Sequence, residues 1–215
     1  MQLRRSDILD AATAILDEFG LADLTMRRLA TALGVQPGAL YWHFPNKQTL
    51  LGAIADRILE DVDSPATGGA ESDWTAQRWD EQTLTLARRM RAALLAHRDG
   101  AELVSATYAS RLTNSRARES FSVALRGGGL SREHAELASY ALLHFVLGQT
   151  LDEQSRLQLE QAGALTRSGI SPDAPVTDPA RDEDLGDGDP DTRFEFGLET
   201  FVDGIRHRLA STSHR

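Results

Sequence analysis

Between Thr25 and Lys47 two short helical stripes lie on either side of a single glycine, and few folds accommodate that arrangement. Met26, Leu29, Ala30 and Leu33 recur at the three- and four-residue spacing of one helical face. Gly34 follows, a residue free to take the positive φ of a tight turn. Ala39, Leu40 and Tyr41 make a shorter second run, which Pro45-Asn46 stops. Thr25 suits the N-cap of the first stripe, and Asn46 that of a further helix running from Lys47 to about Val62. Ahead of them Ser6 is expected to cap a helix carrying Ile8, Leu9, Ala12, Ile15, Leu16 and Phe19, with Gly20 ending it in a left-handed cap. Two short helices joined by a glycine-containing turn, with a third before them, form the helix-turn-helix pattern.

The pattern predicts a division of labour. Leu29, Ala30, Leu33, Val35 and Leu40 would close the core between the helices. Thr25 stands at a helix N-terminus, and Arg27, Arg28, Gln36, Pro37, Ala39, Tyr41, Trp42, His43 and Lys47 are left outside that core or at its edge. A polar and aromatic surface at the mouth of a recognition helix suits a grip on phosphates together with contact to base edges. Any small three-helix bundle shares this spacing. In that reading Tyr41 and Trp42 are core residues and His43 is a surface histidine.

Helical spacing continues along the rest of the chain, with no sustained strand period and no internal repeat. Ser64 to Ser72 reads as a loop. A long helix is expected from Trp74 to His97, a turn at Asp99-Gly100, a short helix to about Tyr108 and another from Asn114 to Leu125. Gly127-Gly128-Gly129 marks a break, and Ser131 opens a long helix to about Gln161. Residues 163–191, full of Gly, Pro, Asp and Ser, are expected to be a mobile acidic loop with one helical turn around Pro179–Leu185. Asp191 or Thr192 would cap a last helix to about Leu209. The fold class is therefore all-α, with about nine or ten helices. The chain divides into a helix-turn-helix head at 1–47, a connecting helix at 48–63 and a helical body at 64–215.

Charge bears on the head reading only through its distribution. The chain of 215 residues carries a net charge of −9, which by itself argues against nucleic acid as a partner. Residues 1–47 are neutral, with Arg4, Arg5, Arg27, Arg28 and Lys47 balanced by Asp7, Asp10, Asp17, Glu18 and Asp23. The excess acid lies C-terminal, much of it at 178–191, where a solvated loop is the simplest reading and a lid over a pocket the functional one. There is no cysteine, no apolar run of membrane-spanning length and no signal-peptide pattern at the start, so a cytoplasmic location is expected.

Three runs carry a resemblance. Leu24-Thr25-Met26-Arg27-Arg28-Leu29-Ala30, Leu33-Gly34-Val35 and Leu40-Tyr41-Trp42-His43-Phe44-Pro45-Asn46-Lys47 closely resemble the tetracycline repressor (TetR) family. Further likeness lies in Leu94-Leu95-Ala96-His97-Arg98-Asp99-Gly100-Ala101, in His144-Phe145-Val146-Leu147-Gly148 with Leu151-Asp152-Glu153-Gln154, and in Phe194-Glu195-Phe196-Gly197-Leu198-Glu199. The resemblance implies an all-α homodimer with two DNA-reading heads and a C-terminal ligand-binding and dimerisation domain. It also implies that the residues matching Thr25, Tyr41, Trp42, His43 and Lys47 contact phosphates or brace the recognition helix, and that the one matching Arg27 reaches a base. Where the tetracycline branch reads bases with glutamine and threonine, this chain has Pro37 and Ala39, with Gln36 one position away. A different operator is expected.

The same resemblance bears on the sensor. Members that bind magnesium–tetracycline use two histidines, an acid acting through water and an arginine. His144 matches one histidine and Asp152 the acid, Thr107 is retained, and Val104 and Tyr108 stand at the other histidine and the arginine positions. One imidazole and one outer acid suit magnesium poorly. The effector is therefore expected to be metal-free and more apolar, with no metal site and no cofactor. Candidate lining residues are Leu86, Met90, Val104, Thr107, Tyr108, Phe121, His144 and Gly148, although Leu86, Met90, Val104 and Phe121 at helical spacing also suit plain core. The helices near 131–161 and 192–209 are too apolar to stand alone, and pairing each with its two-fold copy gives a homodimer. Expected partners are double-stranded operator DNA and a small-molecule effector, with no membrane. An enzyme is disfavoured, because neither a nucleophile motif nor a zinc-helix pattern nor a phosphate-cradling loop occurs. A transcriptional activator of the same fold, and a small-molecule-binding module without a DNA role, remain as alternatives.

Overall fold

The computed structural model describes residues 3–62, 78–163 and 189–212. Among these, nine helices and no strand occur: α1 Arg5–Phe19, α2 Met26–Ala32, α3 Pro37–Tyr41, α4 Lys47–Ile58, α5 Trp79–Leu95, α6 Gly100–Ala109, α7 Ala117–Gly127, α8 Arg132–Gln161 and α9 Pro190–Thr212. The expected loop at Ser64–Ser72, the first residues of the helix expected from Trp74 and the turn at Pro179–Leu185 lie outside the described residues. None of the described helices is long and apolar enough to cross a membrane.

Local chemistry sets most boundaries. Thr25 Oγ1 accepts from the Arg28 amide at 3.1 Å and Asn46 Oδ1 from the Thr49 amide at 2.8 Å, so these two expected caps form, and Ser131 Oγ accepts from the His134 amide at 3.2 Å at the start of the helix it opens. Ser6 does not cap α1. The helix starts one residue before it, and Asp7 closes the first turn by accepting from the Arg4 amide at 2.9 Å. Gly20 ends α1 with φ 87° and ψ 173°, an extended conformation reserved for glycine rather than the expected left-handed cap. Helix α4 stops at Ile58, before the expected Val62, and Leu59–Val62 continue as a turn. Helix α9 starts two residues before Thr192, because Asp189 Oδ2 accepts from both the Thr192 amide and its hydroxyl at 3.0 Å.

One core runs through head and body. In the head Ile8, Ala12, Leu16, Leu24, Leu29, Leu40, Phe44, Leu50 and Ile54 are buried together, while Leu33 and Val35 pack against them from half-buried positions. In the body α5, α6, α7 and α8 enclose Leu86, Met90, Leu94, Val104, Phe121, Leu142 and Val146. Helix α9 is fastened to α5 by polar pairs: Arg88 with Glu195, Arg91 with Asp191, and Arg206 with the buried Asp80.

Candidate nucleic-acid interface and sensor core

The head holds its reading surface on very little regular structure. Helix α3 has five residues and opens on Pro37, whose fixed φ suits a first helical position. Gln36 precedes it with its side chain not spent on the cap, so that amide is free to face outward. Gly34, at φ 65°, makes the turn between α2 and α3. Leu40 and Phe44 are fully buried, whereas Tyr41 and Trp42 between them are 49% and 91% exposed. Trp42 is therefore not core, and the bundle reading fails at that residue. Thr25, Arg27, Gln36 and Pro37 are exposed, and Ala39, His43 and Lys47 are half-buried. Arg27 of α2, Gln36 and Pro37 at the start of α3, and Tyr41 and Trp42 at its end are thus all exposed, and Lys47 opens α4, whose N-terminal dipole favours a phosphate.

Arg28 differs from its neighbour. Its guanidinium lies 3.6 Å from the centroid of the Phe19 ring and pairs with Asp23 at 2.8 Å, so it ties α2 to the end of α1. Arg27 makes no ion pair among the described residues. The neutral charge of the head conceals a sorting. Asp10 pairs with Arg57 of α4 at 2.5 Å, and Asp17 faces His97 at 3.1 Å on the body side. Asp7 is spent on the cap of α1. All three acids are engaged by groups other than the exposed Arg27, Tyr41 and Trp42.

The sensor residues fall into two groups. Leu86, Met90, Val104, Thr107 and Phe121 are all buried, so the structure brings them together inside the body. Thr107 is polar within that group, but its hydroxyl donates to the Val104 carbonyl of its own helix at 2.8 Å. Tyr108 is half-buried, with its hydroxyl donating to Ser115 Oγ at 3.4 Å. His144 and Gly148 are not with them. Both are exposed on α8, on the stripe that carries Leu137, 64% exposed, and Tyr140, 59% exposed. His144 stacks on Tyr140 with ring centroids 4.2 Å apart, and its Nδ1 lies 2.9 Å from the Tyr140 carbonyl oxygen. The reason is angular: positions 137, 140, 144 and 148 share one helical face, and positions 142, 143, 146 and 147 face the core. Asp152 lies on the same outer stripe. Among the described residues, no group of three or more His, Cys, Asp or Glu side chains is arranged to hold a metal ion.

The joint between head and body is a set of residues that sequence reasoning missed. Asp99, held at φ 55°, accepts from the Leu21 amide at 2.7 Å and from the Gln158 side chain. Behind this contact, within the body, Gln154 is buried on α8. Its Oε1 accepts from the Ala101 amide at 3.0 Å, and its Nε2 donates to the Leu94 and His97 carbonyls at 3.0 and 2.8 Å. Arg98 donates to the Glu18 carbonyl at 3.1 Å, and its amide to Asp17 at 3.2 Å. On the other side of the joint Asp56 of α4 accepts from the amides of Asn114 and Ser115 and from the Thr113 hydroxyl, at 2.6, 3.1 and 2.7 Å. The signal was a polar residue in register with a buried stripe: Gln154 continues the spacing of Leu143, Leu147 and Thr150. A second polar seam binds α9 to α5. Burial drives the Asp80 carboxyl upward, but hydrogen bonds from Arg206 and the Glu81 amide, with the charges of Arg78 and Arg206, hold it below the usual aspartate value. The Arg88 guanidinium likewise holds Glu195 below the ordinary glutamate value.

Comparison with known proteins agrees with this architecture. Residues 8–54 match the family described as bacterial regulatory proteins, tetR family, and residues 73–209 match the tetracyclin repressor-like C-terminal domain. The class A tetracycline repressor from transposon 1721 of Escherichia coli is 35% identical over 211 residues, covering 96% of this chain and 92% of its own length. Crystal structures of BioQ are similar throughout. The Mycobacterium smegmatis structure has a TM-score of 0.77 at 43% identity, covering 95% of this chain and 98% of that one. A BioQ structure with its natural double-stranded DNA operator has a TM-score of 0.70 at 41% identity, with the same coverage of 95% and 98%. ActR of Streptomyces coelicolor, solved in complex with (S)-DNPA, has a TM-score of 0.70 at 29% identity, covering 96% of this chain and 98% of that one.

Proposed function

The chain belongs to the TetR family of bacterial regulatory proteins and is a ligand-responsive, DNA-binding repressor; on that footing we propose how its residues divide the work. The head, residues 1–47, enters the major groove with α3. Tyr41, Trp42, His43, Thr25 and Lys47 grip or face phosphates, Lys47 with the help of the α4 N-terminus. Arg27 reads a base edge, and Gln36, Pro37 and Ala39 set the rest of the operator preference. Arg28 serves this surface by bracing α2 against Phe19. The observation that carries the reading is the exposure of Tyr41 and Trp42 between the buried Leu40 and Phe44: two large aromatic side chains held out in water.

Residues 48–63 connect the head to a body at 64–215 that binds the effector and dimerises. Leu86, Met90, Val104, Thr107, Tyr108 and Phe121 form the lining, which is apolar with one hydroxyl on each of two α6 residues. That chemistry favours a metal-free, largely apolar effector. His144 and Gly148 pass from the lining to the dimer face of α8, with Leu137 and Tyr140, and Phe196 of α9, 73% exposed, completes it. A symmetric dimer places the two heads on one side of the duplex, where half-sites lie about 34–36 Å apart or a multiple of that. The effector acts only to the extent that it binds the two head spacings with different affinity. No catalytic role is assigned.

Binding to duplex DNA from upstream of the protein's own gene, measured across operator variants, tests the head. Tyr41→Ala and Lys47→Ala are expected to weaken binding on all variants alike. Arg27→Ala is expected to lose about 1–3 kcal/mol of discrimination at particular base pairs. Unchanged affinity in all three would remove the assignment. Heat on titrating magnesium alone into the protein would overturn the metal-free effector.

A further inference from the structure

We propose that Arg5 is a positioning residue for DNA recognition, acting through the Tyr41–Phe44 turn rather than by touching DNA; the inference rests on the DNA-binding reading of the head. Arg5 is the first residue of α1, far in sequence from the reading surface. Its Nη1 donates to the His43 carbonyl oxygen at 3.0 Å, and its Cζ lies 4.1 Å from the centroid of the Phe44 ring. One guanidinium therefore satisfies a carbonyl beyond the last turn of α3 and covers the face of a ring that is anchored in the core.

That turn needs an outside hold. Helix α3 spans five residues, and beyond its end the His43 and Phe44 amides donate to the Leu40 carbonyl at 3.0 and 2.9 Å. A helix this short contributes little stability of its own. Leu40 and Phe44 are pinned in the core, and the stretch between them carries the two exposed aromatics. Arg5 fixes the backbone of that stretch at His43, and so fixes the direction in which Tyr41 and Trp42 leave the surface. The charge of Arg5 is directed at a carbonyl and a ring of the head itself. A lysine has no planar fork to do both at once.

The test compares wild type, Arg5→Ala and Arg5→Lys on duplex DNA from upstream of the protein's own gene, across a range of salt. Arg5→Ala is expected to weaken binding about tenfold at every salt concentration, the size of losing one charge-assisted hydrogen bond. The slope of log affinity on log salt is expected to stay as in wild type, and Arg5→Lys not to restore binding. In the free protein, hydrogen exchange at the His43 and Phe44 amides is expected to speed up in both variants. A slope shallower by about 0.9 makes Arg5 a phosphate contact and overturns the proposal. So does wild-type affinity in either variant, or unchanged exchange at those two amides. Arg5→Lys keeps the charge and serves where Arg5→Ala does not fold. If the wild-type chain shows no salt-dependent binding to duplex DNA, the reading of the head fails first, while amide exchange still reports whether Arg5 holds the turn.

Discussion

The head and the joint use polar side chains in opposite ways. In the head, the polar and aromatic groups assigned to function point outward from short, locally capped helices, and what lies beneath them is apolar: Leu29, Leu40 and Phe44. At the joint the polar side chains are spent inside the protein. Gln154, Asp99 and Asp56 each satisfy backbone groups of a different element. The contrast separates two kinds of substitution. Exposed outward groups in the head, such as Gln36 and Trp42, can change with little cost to the fold. At the joint, removing one leaves amides or carbonyls of a neighbouring element without that partner, and for Gln154 the groups left at Ala101 and Leu94 are buried.

The sharpest way to break this contrast is a pair of neighbouring residues, Phe44 and Trp42, in the head. Phe44→Ala is expected to cost about 3–5 kcal/mol of stability, since it empties a fully buried site. Trp42→Ala, two positions away and almost wholly exposed, is expected to move stability by no more than about 0.5 kcal/mol while weakening DNA binding. Chemical denaturation of both variants measures this, and a large stability loss in Trp42→Ala would erase the distinction.

Gln154→Ala comes next, with an expected loss of about 1–3 kcal/mol from the partners it strands at Ala101, Leu94 and His97. Urea titration would show it, and an outcome within error of wild type would make the joint as tolerant as the head surface. Thr25→Ala probes the head again, at about 1 kcal/mol for a lost N-cap, read from the thermal midpoint.

The smallest expected effect is a pH dependence. The Asp80 carboxyl is depressed in the folded state, so its contribution is complete above the ordinary aspartate value of 3.8 and is lost as pH falls below that toward its folded value. Asp80→Asn is expected to flatten that acid limb of the stability curve. An unaltered limb in the variant would show that the α5–α9 seam does not depend on this charge.

Much of the head was legible because its determinants are local. The caps Thr25 and Asn46, the turn at Gly34 and the apolar spacing around Leu29 and Leu40 each act within one helical turn. Even so, Ser6 misled as a cap, since Asp7 one residue on offers a stronger acceptor for the first turn of α1. Arg27 and Arg28 could not be told apart in sequence, because only the fold brings Phe19 and Asp23 under one of them.

In the body the residues of the buried stripe were legible as a set, from spacing alone. What they face was not. His144 matched a sensor histidine in sequence, but its angular position on α8 puts it on the outer stripe with Tyr140. Sequence alone determined an all-helical chain with a helix-turn-helix head and an apolar body, because helical period, caps and glycine turns are short-range properties. Only the tertiary structure decided which side chains turn inward: Arg5 to the His43 carbonyl, Gln154 to the joint, His144 to the open face. Those choices depend on how helices pack, and packing is set by contacts between residues far apart in the chain.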